Sequence, residues 1–253
     1  MFKIACQTII FGDEVRMNEH ERVFKAVADI GYDGMEYATK CFDLDNPAKT
    51  KELLEKTGAT LPIIHVGGNF LDTASIKEQM DNFGKTVKFT AAVGGTHIYV
   101  SGVYDHNKSF ENYITEAGVY RDMGKRCADE GLRLCYHNHD WEMINLQGGM
   151  EVLLENAPEL LLVPDVGWVT VSNVDPVVFL TKHFDRIEAV HFKDFKKVRA
   201  FTELGTGFVD FPAVAALLKE KNKPMWITAE QDKATNTPEE SAKINYDYIK
   251  SLF

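Results

Sequence analysis

Glu142, Asp165, His191 and Glu230 each stand at or just past the end of a separate short apolar run in the second half of this 253-residue chain. Carboxylates with an imidazole form the donor set for one hard or borderline divalent ion, Mn²⁺, Mg²⁺, Co²⁺ or Zn²⁺, and no thiolate joins them to favour a softer metal. Successive members lie about 25 to 40 residues apart, too far for one helix or hairpin to gather. A barrel whose strands all end at one rim would bring them together, so chemistry is expected at that rim.

Around these four the sequence is dense in groups that could act. In Tyr136-His137-Asn138-His139-Asp140-Trp141-Glu142, an extended strand puts His137 and His139 on one face, and Glu142 lies where the chain turns and can lean back. The competing reading packs one imidazole on Trp141 and leaves Asp140 and Glu142 in water. Asp165 follows the run Leu160 to Pro164, where a carboxylate is costly unless paired or bound to metal. A helix N-cap is its alternative role, although Asn173 or Asp175 can cap the helix that follows. His191 shares its strand face with Ile187, Ala189 and Lys193. His65 precedes Gly67 and Gly68, which let a ligand approach the backbone, so substrate contact is expected there. Glu36 and His97 are rim or core candidates, and Glu203, on the Gly-bearing loop Thr202 to Gly207, could cover a substrate.

The elements that must position these residues alternate throughout. Strand patterns at Lys3–Gln7, Gly34–Tyr37, Leu61–Val66, His97–Val100, Leu132–His137, Leu160–Asp165, Ile187–His191 and Met225–Glu230 are each followed by a helical pattern. Those helices are expected at Asn18–Ile30, Pro47–Thr57, Ser75–Ala92, Phe110–Glu130, Gly149–Asn156, Asp175–His183, Phe211–Glu220 and Pro238–Leu252. Strict alternation implies parallel strands with helical crossovers wrapped outside. No Gly-x-Gly-x-x-Gly follows the first strand, so a closed (β/α)8 TIM barrel, one domain over residues 1–253, is expected rather than an open nucleotide-binding sheet.

Bulk properties narrow the partners. A formal charge of −10 opposes a phosphate backbone, so nucleic acid is not expected. The local cluster Lys193, Lys196, Lys197 and Arg199 reads first as a solvated loop. No run approaches the roughly 18 apolar residues of a membrane span, and the four cysteines lack pairing spacings, so a cytoplasmic protein with reduced thiols is expected.

At these residues the chain resembles the sugar isomerase/epimerase superfamily with the xylose isomerase-like barrel, also called the AP endonuclease family 2 barrel. The likeness is carried by the Tyr136 to Glu142 segment, Asp165-Val166-Gly167-Trp168, His191-Phe192-Lys193-Asp194, Glu203-Leu204-Gly205-Thr206-Gly207 and Glu230-Gln231-Asp232. The resemblance implies metal ligation by Asp165, His191 and Glu230, with Glu142 as the strand-five carboxylate. Ketose epimerases carry a ligating, proton-moving Glu where His137 stands here, and often a substrate-binding His where Trp168 stands. The His-x-His sequence is similar to inosose dehydratase-type members. The implied activity is isomerisation or epimerisation of a small sugar or keto-polyol through an enediolate, with dehydration of an inosose or keto-sugar as the alternative. Glu230, His139 or Glu142 would move the proton, Lys193 would face a developing oxyanion, and His65, His137, Trp141, Trp168 and Glu203 would contact substrate. Pairing into a homo-oligomer is a further family trait.

Overall fold

Eight parallel strands stand in the order expected of a barrel in the computed structural model, which describes residues 1–103, 105, 108–144, 148–197 and 199–253. The strands are β1 (Phe2–Gln7), β2 (Gly34–Ala38), β3 (Ile63–Gly67), β4 (His97–Ser101), β5 (Arg133–His137), β6 (Leu161–Val163), β7 (Ala189–Phe192) and, last in the chain, β10 (Met225–Ala229). Neighbours pair in sequence from β6 down to β1, then β10, then β7. The remaining seam, β6 to β7, is bridged at Leu162–Ile187 and Asp165–His191, with His191 N donating to the Pro164 carbonyl at 2.8 Å. Pro164 has no N–H to give a ladder, which explains why β6 is only three residues long. The Asp165 N–H just beyond it is taken instead by Asn138 Oδ1 at 3.0 Å.

Helices cover the outside and pack apolar faces against the sheet. The first expected helix is α2 (His20–Ile30), and an additional short helix, α1 (Asp13–Asn18), precedes it, the two separated where Glu19 leaves helical geometry. Val23, Phe24 and Val27 of α2 are buried at helical spacing, and Gly31 ends it in the left-handed conformation. The closing helix, Pro238–Leu252, starts from a capping box of Thr237 and Glu240. Three further elements near the candidate site were not anticipated: the short helices Trp141–Ile144 and Val166–Val171, and an antiparallel hairpin of β8 (Asp194–Lys197) and β9 (Ala200–Thr202). All three follow the C-terminal ends of barrel strands, where loop elaboration is tolerated.

Inside the barrel, Ala5, Ile63, Tyr99, Cys135, Val163 and Ala189 form a separate buried cluster. Side chains on a strand repeat every second residue, so the next inward position of each strand lies two residues further toward the rim. Those positions hold Gln7, His65, Ser101, His137, Asp165 and His191, and the same step places Glu36 above Gly34 and Glu230 above Thr228. The interior thus changes from apolar to polar within one layer, at the end where barrel sites are built. No described helix is long and apolar enough to cross a membrane.

Candidate metal centre

Four of these rim residues converge. His137, Asp165, His191 and Glu230, all buried, each offer a ligand atom, and those atoms lie within 4.8 Å of one another. Glu230 Oε2 is 2.5 Å from His191 Nδ1 and 3.2 Å from His137 Nε2, which in turn lies 3.6 Å from Asp165 Oδ2. Asp165 serves two purposes that sequence reasoning had set against each other. Its Oδ1 caps the helix Val166–Val171 by accepting from Trp168 N at 3.0 Å, while its buried Oδ2 finds no hydrogen-bond partner among the described residues. An orphaned carboxylate oxygen aimed at two imidazoles and a second carboxylate fits a divalent cation, which such an N/O set would hold with positions left open.

Glu142, expected as the strand-five ligand, lies outside the cluster. Its oxygens accept from Tyr136 Oη at 2.7 Å and His139 N at 2.8 Å, so local partners at the start of Trp141–Ile144 consume them. Burial raises its pKa, opposed by those two hydrogen bonds. His137, expected to touch substrate, takes the strand-five place, because it is two residues beyond the inward-facing Cys135. The candidate donor set is therefore two imidazoles and two carboxylates, where one and three were expected.

Lys193 completes the charge pattern. Fully buried, its Nζ lies 2.9 Å from Asp232, 3.0 Å from Glu230 Oε1 and 3.5 Å from Asp165, and 4.9 Å from the Trp168 ring centre. Burial would lower the ammonium pKa, but the carboxylates of Asp232, Glu230 and Asp165 raise it well above the usual lysine range. Glu230 is held well below the usual carboxylate range: burial opposes ionisation, and Lys193 and His137 overcome it. His191 is likewise pushed up to about 10 by Glu36 and Glu230 against burial.

The other expected residues divide. His139 stacks on Trp141 with centroids 4.0 Å apart and planes 9° apart, and burial, then His137 and Lys193, drive its pKa well below 6.5. Its ring lies against both Trp141 and Trp168, with which it forms an aromatic wall. His65 has both nitrogens engaged, Nδ1 with Glu36 Oε1 at 2.8 Å and Nε2 with Ser101 Oγ at 3.0 Å, leaving neither for a substrate. The Glu203 carboxylate, expected to cover a substrate, is engaged by neighbouring side chains of its own fold. It is buried among hydroxyls, accepting from Thr235, Ser241 (2.6 Å) and Asn236 (3.1 Å), and ties its loop to the closing helix.

Residues missed by sequence reasoning are of two kinds. Asp194 accepts from the backbone N–H of Phe195, Gly205, Gly207 and Val209, fixing the loop after the hairpin. Gly167 lets the Val166–Val171 helix lie against the Lys193 carbonyl, where a Cβ would collide. At the hairpin tip Arg199 pairs with Asp140 at 2.6 Å and lies over Trp168, while Lys196 and Lys197 are exposed. The basic cluster is thus one buried site lysine, two solvated ones and a paired arginine. Glu36, wholly buried, was noted only as rim or core. Stepping by two from Gly34 would have aimed it inward.

The class defined here is a parallel eight-stranded barrel with a buried His/Asp/His/Glu set at its C-terminal rim, a set that could hold a metal ion. Residues 24–252 match the family model described as the xylose isomerase-like TIM barrel, and the chain belongs to that family. It is 28% identical over 274 residues to an inosose dehydratase of Salmonella typhimurium, covering 93% of this chain and 89% of the relative. Two solved structures share its fold. A D-allulose 3-epimerase from Methylomonas sp., in complex with D-allulose, has a TM-score of 0.82 at 19% identity, covering 100% of this chain and 97% of that one. The IOLI protein, with a bound zinc atom, has a TM-score of 0.80 at 14% identity, covering 99% and 97%.

Proposed function

We propose that this protein is a divalent-metal-dependent lyase that removes water from a cyclic or open-chain keto-polyol of the inosose class. The observation carrying this reading is that one carboxylate, Glu230, sits 3.0 Å from one ammonium, Lys193, with an imidazole where a second carboxylate would stand. Epimerisation needs an acid–base group on each face of the reacting carbon. Elimination needs one base and one acid, which this pair supplies. The dehydratase relative supports the same choice.

His137, Asp165, His191 and Glu230 would hold the ion, of which Zn²⁺, Mn²⁺ and Co²⁺ suit the mixed nitrogen and oxygen donors. When bound, it supplies Lewis-acid polarisation of the substrate ketone. Glu230 Oε1 takes the proton from the carbon next to the carbonyl, and the carbon–oxygen bond one carbon further on breaks. Lys193 gives its proton to the departing hydroxide, which leaves as water. Lys193 is a reluctant acid while three carboxylates hold it, but protonation of Glu230 removes one of those charges and lowers its pKa at the step where the proton is needed. Glu230 then returns its proton to Lys193 across the 3.0 Å contact, resetting both groups. His139, Trp141 and Trp168 offer an apolar wall to the carbon face of the substrate and keep water out.

The test is incubation of metal-loaded protein with inososes and ketoses in D₂O. Growth of ultraviolet absorbance from a conjugated or diketone product is expected, with Lys193→Met about 10²- to 10³-fold slower. Deuterium exchange giving an isomer or epimer without that absorbance would replace dehydration with isomerisation, the reading that sequence alone placed first.

A further inference from the structure

The inward rim positions number one per barrel strand, and the ligand set uses only those of β5, β6, β7 and β10. The first four strands contribute Gln7, Glu36, His65 and Ser101, and these are connected. Ser101 Oγ meets His65 Nε2 at 3.0 Å, His65 Nδ1 meets Glu36 Oε1 at 2.8 Å, and Gln7 Nε2 donates to the same oxygen at 2.9 Å. Gln7 is itself fixed by accepting from Ile9 N at 2.8 Å. The other Glu36 oxygen, Oε2, lies 2.8 Å from His191 Nε2, a charge contact too bent to count as a hydrogen bond. We infer that Glu36 is a positioning residue for His191: it draws the ring proton to Nε2 and so makes Nδ1 the ligating atom.

A neutral imidazole carries one proton, and whichever nitrogen lacks it is the one able to bind a metal. His191 Nδ1 faces Glu230 and the ligand cluster, whereas Nε2 faces a wholly buried carboxylate. Among the described residues neither lysine nor arginine pairs with Glu36, so its basic partners are the imidazoles of His65 and His191. A carboxylate kept in such a place has a high desolvation cost that packing alone does not offset. An outer carboxylate that orients a ligating histidine also raises its basicity, and losing one weakens metal binding about 10- to 100-fold. His65, expected to touch substrate, becomes the brace for that carboxylate, and the N-terminal half of the barrel thereby sets the geometry of a ligand from the C-terminal half.

The inference rests on the cluster being a metal centre, and the experiment separates the two. Zn²⁺ affinity is measured by competition with a chromophoric chelator for the wild type, Glu36→Gln, Glu36→Leu and Gln7→Leu, beside long-range ¹H–¹⁵N spectra of the imidazoles in the zinc-loaded wild type. Expected are a roughly 10- to 100-fold loss for both Glu36 variants, a smaller loss for Gln7→Leu, and His191 protonated at Nε2. A folded Glu36→Gln that binds zinc within about threefold of the wild type, or a His191 protonated at Nδ1, overturns the inference while leaving the metal centre standing. A purely structural role for Glu36 would lower thermal stability without moving either readout. Should the variants not fold, the wild-type spectrum decides, and a wild type that binds no zinc overturns both claims.

Discussion

Asp165 gives the sharpest separation between a structural and a chemical role, because its two oxygens do different work. Oδ1 caps the helix Val166–Val171 through Trp168 N, and Oδ2 is the bare oxygen of the ligand set. Asp165→Asn keeps an acceptor for the cap and replaces the second oxygen with an amide that cannot ligate through nitrogen. Asp165→Ala removes both, and loss of the cap alone costs about 1 kcal/mol. If the wild type binds Zn²⁺ and is assayed at about 100 times its dissociation constant, binding adds about 2.7 kcal/mol to apparent stability. A chain of this size shifts by roughly 2–4 °C per kcal/mol, so a melting temperature gain of about 5–10 °C is expected on adding metal. Loss of a direct ligand weakens binding at least as much as loss of an outer partner, about 100-fold, leaving a gain of only about 1–2 °C for Asp165→Asn. Without metal, Asp165→Asn should melt within a few degrees of the wild type and Asp165→Ala about 2–4 °C lower than Asp165→Asn. Differential scanning calorimetry with and without Zn²⁺ reads all four numbers. An Asp165→Asn protein that gains as much from zinc as the wild type would refute the ligand assignment.

Two further perturbations act away from the centre. Lys108 and Glu116 form a wholly buried ion pair at 2.8 Å, so Lys108→Met should cost about 3–5 kcal/mol by stranding the carboxylate, while Lys108→Met with Glu116→Leu should recover most of it; equal denaturant midpoints for single and double variants would contradict this. Burial would raise the Glu203 pKa, but the hydroxyls of Ser241 and Thr235 hold it down at about 2. Its contribution to stability is therefore complete above its unfolded value near 4.5 and is lost as pH falls toward 2, and Glu203→Gln should flatten that acid limb of the unfolding curve.

The barrel was legible because two periodicities survive without any knowledge of contacts. Apolar runs bounded by Gly31, Gly58 and the Gly94-Gly95 pair mark where each strand and helix ends, and eight such units leave few ways to close. What escaped were elements too short to show a period. The helix Val166–Val171 is six residues with no polar face, and the hairpin strands are four and three residues long. Their stability comes from tertiary partners instead: Asp165 as cap, the Lys193 carbonyl against Gly167, and Asp194 collecting the N–H groups of the loop.

The choice of ligands shows the same division more finely. Asp165, His191 and Glu230 were visible because each breaks an apolar strand at its end, but the family resemblance implied a strand-five carboxylate and so favoured Glu142 over His137. Strand geometry reverses that preference. His137 is two residues above Cys135, inside the barrel by the pleat, whereas Glu142 is five residues beyond His137, where the chain has already turned into a helix and finds the Tyr136 hydroxyl first. The same step of two, applied to all eight strands rather than to the last four, reaches Gln7, Glu36, His65 and Ser101 as well. A ring of polar residues one layer above an apolar one is therefore a pattern in the sequence, and it carries more information than any ligand motif. It reaches the four residues that converge at the candidate centre and also the four hydrogen-bonded to one another beside it.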